Sequence, residues 1–386
     1  MILDKFTKDS IISLSNLTVI KEIDEYTIGD EQKNIFFRVP REAIYVIEEA
    51  KGHNTIEEIQ DSILQNRKIE IDVLDFMNTL NSLGVINNIN LNIDKEKNSF
   101  VQSLGKFFFN KVTIIFYIIN ILLTFILLVS FPNKLTPSYQ DTFVLSSIGI
   151  SLLLFFFVSW FLVFIHEAAH YLAVSATGKK MNFQLSIRWF WVVIEANMNT
   201  LWSISREKRY IPFLAGFFVD ILIINISFIL ILNMNDVFII SLLKMVALIQ
   251  FYKIIWQFII FLRTDFYYVL LNYFGVSTLT KGSMAYLLRK FSPKYNLFFD
   301  KLSSREQIIC KRYSWLYIVS LFAILYLFLF LSLPTVLYTL KTTLNILFTS
   351  TYNKFEFWDS FIVLALILFE FVLWIIAAYK RFKRGE

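Results

Sequence analysis

The chain has 386 residues, 56% hydrophobic and only 18% charged, with 42 phenylalanines and a formal net charge of +6. A water-exposed surface could not carry so many large apolar side chains, so a soluble globular domain is excluded and an integral membrane protein is expected. The single cysteine, Cys310, excludes an intrachain disulfide and any cysteine-based metal site. The net charge also hides a division. Residues 1–100 carry 11 Lys/Arg against 18 Asp/Glu, net −7, which leaves 26 against 13, net +13, for residues 101–386. The first hundred residues therefore read as a separate acidic module, and the remainder as a basic membrane part. The basic residues cluster beside hydrophobic spans, where membrane topology accounts for them, so nucleic acid is not an expected partner.

In the acidic module, Leu17–Ile23 and Asn34–Val39 read as strands, with Gly29-Asp30 as the turn between them. Pro40 opens a helix over about Arg41–Ala50, and Gly52 lies just past its end. Thr55 and Glu58 have capping-box spacing at the start of a second helix that carries Ile56, Ile59 and Ile63. A third helix runs from about Asp72 to Leu83, and Val85-Ile86 closes a short strand. Strands followed by three short helices suggest a small winged-helix-like domain. A winged helix can bind DNA, but a net charge of −7 lacks the basic face that phosphate contacts require. His53, in the Gly52–Thr55 turn, reads as a solvated loop residue. Residues 87–104 are polar and suit a linker.

Six stretches approach the roughly 20 apolar residues a bilayer requires: about Val112–Phe131, Thr142–Ala173, Ile211–Leu232, Val237–Leu262, Trp315–Leu333 and Phe361–Ala378. No signal peptide precedes the first, since Met1-Ile2-Leu3 runs straight into Asp4 and Lys5, so an uncleaved first span is expected to target the chain. Lys and Arg crowd one set of loops and the carboxy-terminal tail, whereas the opposite loops offer Lys134, Lys341 and Lys354. Both termini are therefore expected in the cytoplasm, in a multi-pass protein of the cell membrane. Residues Gly178–Tyr210 are too polar to span, yet contain Phe190-Trp191-Val192-Val193-Ile194 and Trp202, as a membrane-dipping hairpin would. Such an edge can hold an extended peptide, with Glu195, Asn197 and Asn199 as candidate contacts or oxyanion donors.

The second span ends in His166-Glu167-Ala168-Ala169-His170, which uses two of the chain's three histidines. Four residues apart on a helix, His166 and His170 share one face and can hold one zinc ion, with Glu167 placed to take a proton from water. Zinc needs a third protein ligand, and an acidic residue is the natural donor. Asp265, where the fourth span meets the cytoplasm, falls at the depth expected for the two histidines. Gln250, Lys253, Gln257 and Phe261 form a partly polar stripe leading to it along a helix read as continuous. Asp220 lies nine residues into the third span and Lys253 nine residues before the end of the fourth. At 1.5 Å per residue both reach a depth of about 13 Å, so an ion pair that docks the two helices is expected.

The segments His166-Glu167-Ala168-Ala169-His170, Phe213-Leu214-Ala215-Gly216-Phe217-Phe218-Val219-Asp220 and Arg263-Thr264-Asp265 look like the three ordered motifs of the site-2 protease family of intramembrane zinc metalloproteases. More closely, they resemble its bacterial peptide-zinc-metalloprotease branch. The similarity spans about Phe155 to Phe274. It implies zinc held by His166, His170 and Asp265, and water activated by Glu167. Two positions depart from that pattern, Gly216-Phe217 where Gly-Pro is usual and Asp265-Phe266 where Asp-Gly is common. The acidic module resembles the PqqD-like peptide-recognition family, from Phe36-Phe37-Arg38-Val39-Pro40 through Gly52–Ile59 to Leu83-Gly84-Val85-Ile86. That resemblance implies that a leader peptide adds as a strand beside Asn34, Ile35, Phe36 and Phe37, with the Asp72–Leu83 helix as the other wall.

The expected fold is mainly α: a polytopic membrane protein of about six transmembrane helices with a small amino-terminal α/β winged-helix-like cytoplasmic domain. Its expected domains are a peptide-recognition module at 1–98 and a transmembrane zinc metalloprotease domain at 99–386. The expected function is hydrolysis of a peptide bond in a ribosomally synthesised precursor, as a maturation or export step. Expected partners are that precursor through its leader, membrane lipid, a peptide-modifying enzyme and an ABC exporter. Two alternatives remain open. One is a regulatory intramembrane protease that cuts a membrane-bound transcription-factor precursor, and the other is a non-catalytic peptide export or immunity component.

Overall fold

The computed structural model describes residues 6–12, 14, 17–31, 33–52, 54–86, 99–188, 191–276, 279–349 and 354–384. The chain divides into two compact units, one of Met1–Phe100, Lys179–Met181 and Asn197–Tyr210, the other of Val101–Gly178, Asn182–Ala196 and Ile211–Glu386.

The first unit contains β1 (Ile11–Ile12), β2 (Thr18–Lys21), β3 (Tyr26–Asp30), β4 (Ile35–Val39), α1 (Arg41–Glu49), β5 (Asn54–Thr55), α2 (Ile56–Arg67) and α3 (Val73–Ser82). Strands β2, β3 and β4 form an antiparallel meander in that order, and β1 pairs with β5. The register sets Ile28 opposite Val19 and Phe37. Ile28 is fully buried, as are Val46, Ile47, Ile56, Ile59, Val73 and Met77, so one core joins the sheet to all three helices. The Thr55–Glu58 capping box forms as its spacing predicts, and Asp72 caps α3.

Two local expectations change. Tyr26–Asp30 is a strand, not a turn. Gly29 is required there because a Cβ would collide with the Ile35 carbonyl and Phe36 of the neighbouring strand. The chain reverses after Asp30, where Asn34 takes a left-handed φ of 55°. Val85 and Ile86 are buried but form no strand. His53 lies outside the described residues.

The first unit is completed from far along the chain. Arg209, fully buried, places Nη2 2.7 Å from Glu22 Oε1, and its Nε–H donates to the carbonyls of Leu201 and Ile204 at 3.0 Å. The Trp202 ring has the guanidinium carbons of Arg209 and Arg38 at 4.8 and 5.8 Å from its centroid. Lys179 Nζ donates to Glu31 Oε2 at 2.6 Å. Burial alone would raise the Glu31 carboxyl, but Lys179 and Thr18 more than offset it and hold it below the usual carboxylate range. Because removing one partner strands a buried charge, Arg209→Leu should destabilise this unit by about 3–5 kcal/mol. Denaturation in detergent would check this, and an unchanged midpoint would show the pair to be dispensable.

The second unit begins within α4 (Ser99–Phe108), so the expected linker already turns helical at residue 99. There follow α5 (Lys111–Ser130), α6 (Pro132–Leu135), α7 (Ile148–Ala176), a hairpin of β6 (Asn182–Arg188) and β7 (Trp191–Asn197), α8 (Arg206–Asn233), α9 (Val237–Gln257), α10 (Asp265–Phe274), α11 (Leu279–Leu288), α12 (Pro293–Asp300), α13 (Ser304–Leu327), α14 (Leu333–Thr349) and α15 (Phe355–Arg384). Six of these helices are long and apolar enough to cross a membrane: Lys111–Ser130, Ile148–Ala176, Arg206–Asn233, Val237–Gln257, Ser304–Leu325 and Phe355–Ile376. The protein is a mainly helical, polytopic membrane protein with a small strand-bearing amino-terminal unit.

Helix α7 is fixed at both ends. At its start, the Asp359 carboxylate of α15 accepts from the Ser147 hydroxyl and from the backbone N–H groups of Gly149 and Ile150, a cap supplied by another helix. Near its other end, Ala169 and Ala173 pack against Ala215 of α8 in one cluster, where small side chains let helix backbones approach. Gly105 of α4 meets the Leu172 carbonyl so closely that a Cβ would not fit.

The fourth span is not continuous to Leu262. Helix α9 stops at Gln257, a short 3-10 turn covers Ile260–Leu262, and Arg263 takes a left-handed φ of 56° before α10 starts at Asp265. Gln257 staples this break. Its carbonyl accepts from Thr264 Oγ1 at 2.6 Å and its Oε1 from the Asp265 N–H at 3.1 Å.

Candidate metal centre

Helix α7 delivers His166, Glu167 and His170, and the first residue of α10 delivers Asp265. His166 and His170 are 4% and 1% exposed. The Nδ1–H of His166 donates to Asp220 Oδ2, and that of His170 to the Pro212 carbonyl, both at 2.7 Å. Carboxylate and carbonyl oxygens only accept, so Nδ1 carries a proton in both rings and Nε2 is the nitrogen that each ring turns inward.

These two nitrogens lie 3.2 Å apart, and Asp265 Oδ2 lies 3.2 Å from each. With each Nε2 unprotonated, as a metal ligand must be, three acceptors in a triangle of that size repel one another. A cation at their centre removes the conflict. The edge of a tetrahedron is about 1.63 times its centre-to-corner distance, so edges of 3.2 Å correspond to ligand distances of about 2.0 Å, in the range of tetrahedral sites with N and O donors. His166, His170 and Asp265 therefore fit a divalent metal ion, and they form the one such cluster among the described residues.

Glu167 faces the same centre from the adjacent helical position. Its carboxylate accepts from the Ala196 backbone N–H at the end of β7, while Oε2 is buried without a partner among the described residues. Gln257, 7% exposed, is oriented by the Asp265 N–H bonded to its Oε1, which turns its NH2 group toward the cluster, 3.5 Å from His166 Nε2. The chemistry available is one Lewis-acid position, one carboxylate free to accept a proton, and an amide donor beside them.

Lys253 Nζ lies 2.7 Å from Asp220 Oδ1, the pairing expected from depth, and also donates to the Leu162 carbonyl at 2.9 Å. Not foreseen is that the second oxygen of Asp220 holds His166. The signal was present in Gly216 and Asp220, four residues apart and so on one face of α8. Gly216 packs against the His166 ring, which a Cβ at this position would strike. The Pro212 carbonyl and Ala196 N–H, being backbone groups, leave no trace in a side-chain pattern.

The other candidate residues fall elsewhere. Ile35, Phe36 and Phe37 form the first part of β4, whose one partner among the described residues is β3, and Asn34 precedes them, its Nδ2 donating to Asn197 Oδ1 at 3.3 Å. Lys33 Nζ donates to the Gly84 carbonyl at 2.8 Å, tying the segment after α3 to the start of β4. Asn197 and Asn199 belong to the amino-terminal unit, and the side chain of Glu195 lies outside the described residues. Comparison of the chain with protein-family models, curated proteins and solved structures finds no match.

Proposed function

We propose that this protein is an intramembrane zinc metalloendopeptidase that cuts a ribosomally synthesised peptide precursor. The observation that carries the proposal is the triangle of His166 Nε2, His170 Nε2 and Asp265 Oδ2, beside a buried Glu167 oxygen that has no partner among the described residues. Two histidines and a carboxylate, with a fourth position left for water, are the donor set of a catalytic rather than a structural zinc site. The resemblance of the three ordered motifs to the site-2 protease family supports the same assignment.

Zinc, when bound, polarises the scissile carbonyl and lowers the pKa of a water to about 7. Glu167 takes the proton of the attacking water through Oε2 and returns it to the leaving amine. The Ala196 N–H keeps the Glu167 carboxylate in place. The Gln257 NH2 group is placed to donate to the carbonyl oxygen as charge develops on it. Strand β7 offers an extended backbone next to Glu167, on which a substrate segment can lie as a further strand and expose its amide. The amino-terminal unit holds the leader of the precursor along the outer edge of β4, at Asn34–Phe37. With the basic loops facing the cytoplasm, both termini and the leader site lie on that side of the cell membrane.

The test is twofold. The full chain purified in mild detergent should contain one zinc per chain, and cells carrying Glu167→Gln should accumulate an uncut short precursor that wild-type cells lack. Identical peptide inventories would refute the proteolytic assignment. Accumulation of a membrane-anchored regulator instead would move the substrate to a transcription-factor precursor.

A further inference from the structure

We infer that Asp220, held by Lys253, is the positioning residue of the metal centre, fixing which nitrogen of His166 faces the cation while Lys253 balances the charge of the buried site. This rests on the metal-centre assignment above and extends it. Asp220 is 0% exposed, and each of its oxygens has one strong partner, His166 Nδ1 and Lys253 Nζ, both at 2.7 Å. A carboxylate there can only accept, so in the neutral ring it holds the proton on Nδ1 and leaves Nε2 as the ligand. An Asp–His pairing of this kind orients a ligand ring and raises its basicity.

Charge explains the lysine. Glu167, Asp220 and Asp265 bring three carboxylates to a site inside a membrane span, and Lys253 brings one ammonium. A divalent cation then closes the account at zero, with three positive and three negative charges in a low-dielectric interior. Without the cation the group is left with two negative charges, which favours metal uptake. The hydrogen bonds of Lys253 among the described residues go to Asp220 and Leu162, not to a ligand. It is fastened by the Leu162 carbonyl at 2.9 Å, on the helix that carries both histidines, so its ammonium is held over Asp220 and not free to swing toward the metal.

A salt bridge that merely docked helices would have a symmetrical signature, with folded protein and metal lost together whichever partner was removed. The positioning role has an asymmetrical one. Asp220→Asn keeps an acceptor for Nδ1–H but removes the charge, so metal affinity should fall about 10–100-fold in the fraction that folds. Lys253→Met should lower the yield of folded protein, since it strands a buried carboxylate. The fraction that folds should bind metal at least as tightly as wild type, because a positive charge near the cation is gone. The double variant Asp220→Asn/Lys253→Met should recover the yield but keep the weakened affinity.

Titration of the full-length metal-free protein in detergent with Co2+, followed by its visible ligand-field bands and by competition with Zn2+, reads both quantities, with monodispersity as the measure of folding. Weaker binding by Asp220→Asn together with binding by Lys253→Met no weaker than wild type would support the inference. Equal weakening in both, or an Asp220→Asn affinity equal to wild type, would overturn it and leave the metal centre standing. A wild-type chain that binds no Co2+ would overturn both.

Discussion

Glu167→Gln should abolish peptide cleavage without disturbing the site. The side chain is nearly isosteric, and the amide oxygen can still accept from the Ala196 N–H. What the substitution removes is the proton acceptor at Oε2, an oxygen that is buried without a partner among the described residues. An unpaired buried carboxylate oxygen is costly to retain. Its use here is to be the place where a proton goes. General base catalysis contributes about 10²–10⁴-fold, and the cleavage rate should fall by at least that much on the peptide that accumulates in cells carrying the variant. Zinc content and thermal stability should match wild type. A Glu167→Gln protein that cleaves at the wild-type rate would remove Glu167 from the mechanism. One that loses zinc would show Glu167 to be a ligand.

Gly216→Ala should empty the metal centre. The added Cβ falls on the His166 imidazole ring, which cannot retreat. Its Nδ1 is tied to Asp220 and its Nε2 faces His170 and Asp265, while α7 is clamped by the Asp359 cap at its far end and by Ala173 and Gly105 near its own. Overpacking typically costs about 1–3 kcal/mol, and here much of it should appear as a displaced ligand. Bound zinc should drop at least tenfold while much of the protein stays monodisperse. A Gly216→Ala protein with one zinc per chain and wild-type stability would contradict the close packing of α8 on His166.

Much of this was written in local patterns. Span positions follow from runs of apolar residues, because a helix crossing lipid must satisfy its backbone internally and cover itself with hydrocarbon. The Thr55–Glu58 cap and the shared face of His166 and His170 follow from spacings of three and four residues, which helical geometry turns into contacts. Even the Asp220–Lys253 pair was legible, since a fixed rise per residue converts sequence position into membrane depth. Where local reasoning failed, a contact outside the regular spacing of a helix or strand was responsible. Gly29 looks like a turn residue, yet it sits in β3 because β4 comes too close for a side chain. Asp265 was extrapolated along an unbroken helix, whereas Gln257 and Thr264 close a break there and start a new helix at the ligand.

The amino-terminal unit shows the same limit. Its acidic charge and helix pattern mark out residues 1–98, but nothing local foretells that Glu22 is paired by Arg209, or that Trp202 lies over two of its arginines. The sequence by itself determined a membrane protein, the His-Glu-x-x-His face and a separate acidic module, because each depends on periodicity, composition or charge within one segment. Only the tertiary structure decided that His166, His170 and Asp265 converge to a triangle of 3.2 Å edges, that Asp220 bonds one of the rings, and that one Glu167 oxygen is buried without a partner among the described residues. Those depend on where α7, α8 and the start of α10 meet, and helix packing, not spacing along the chain, sets that.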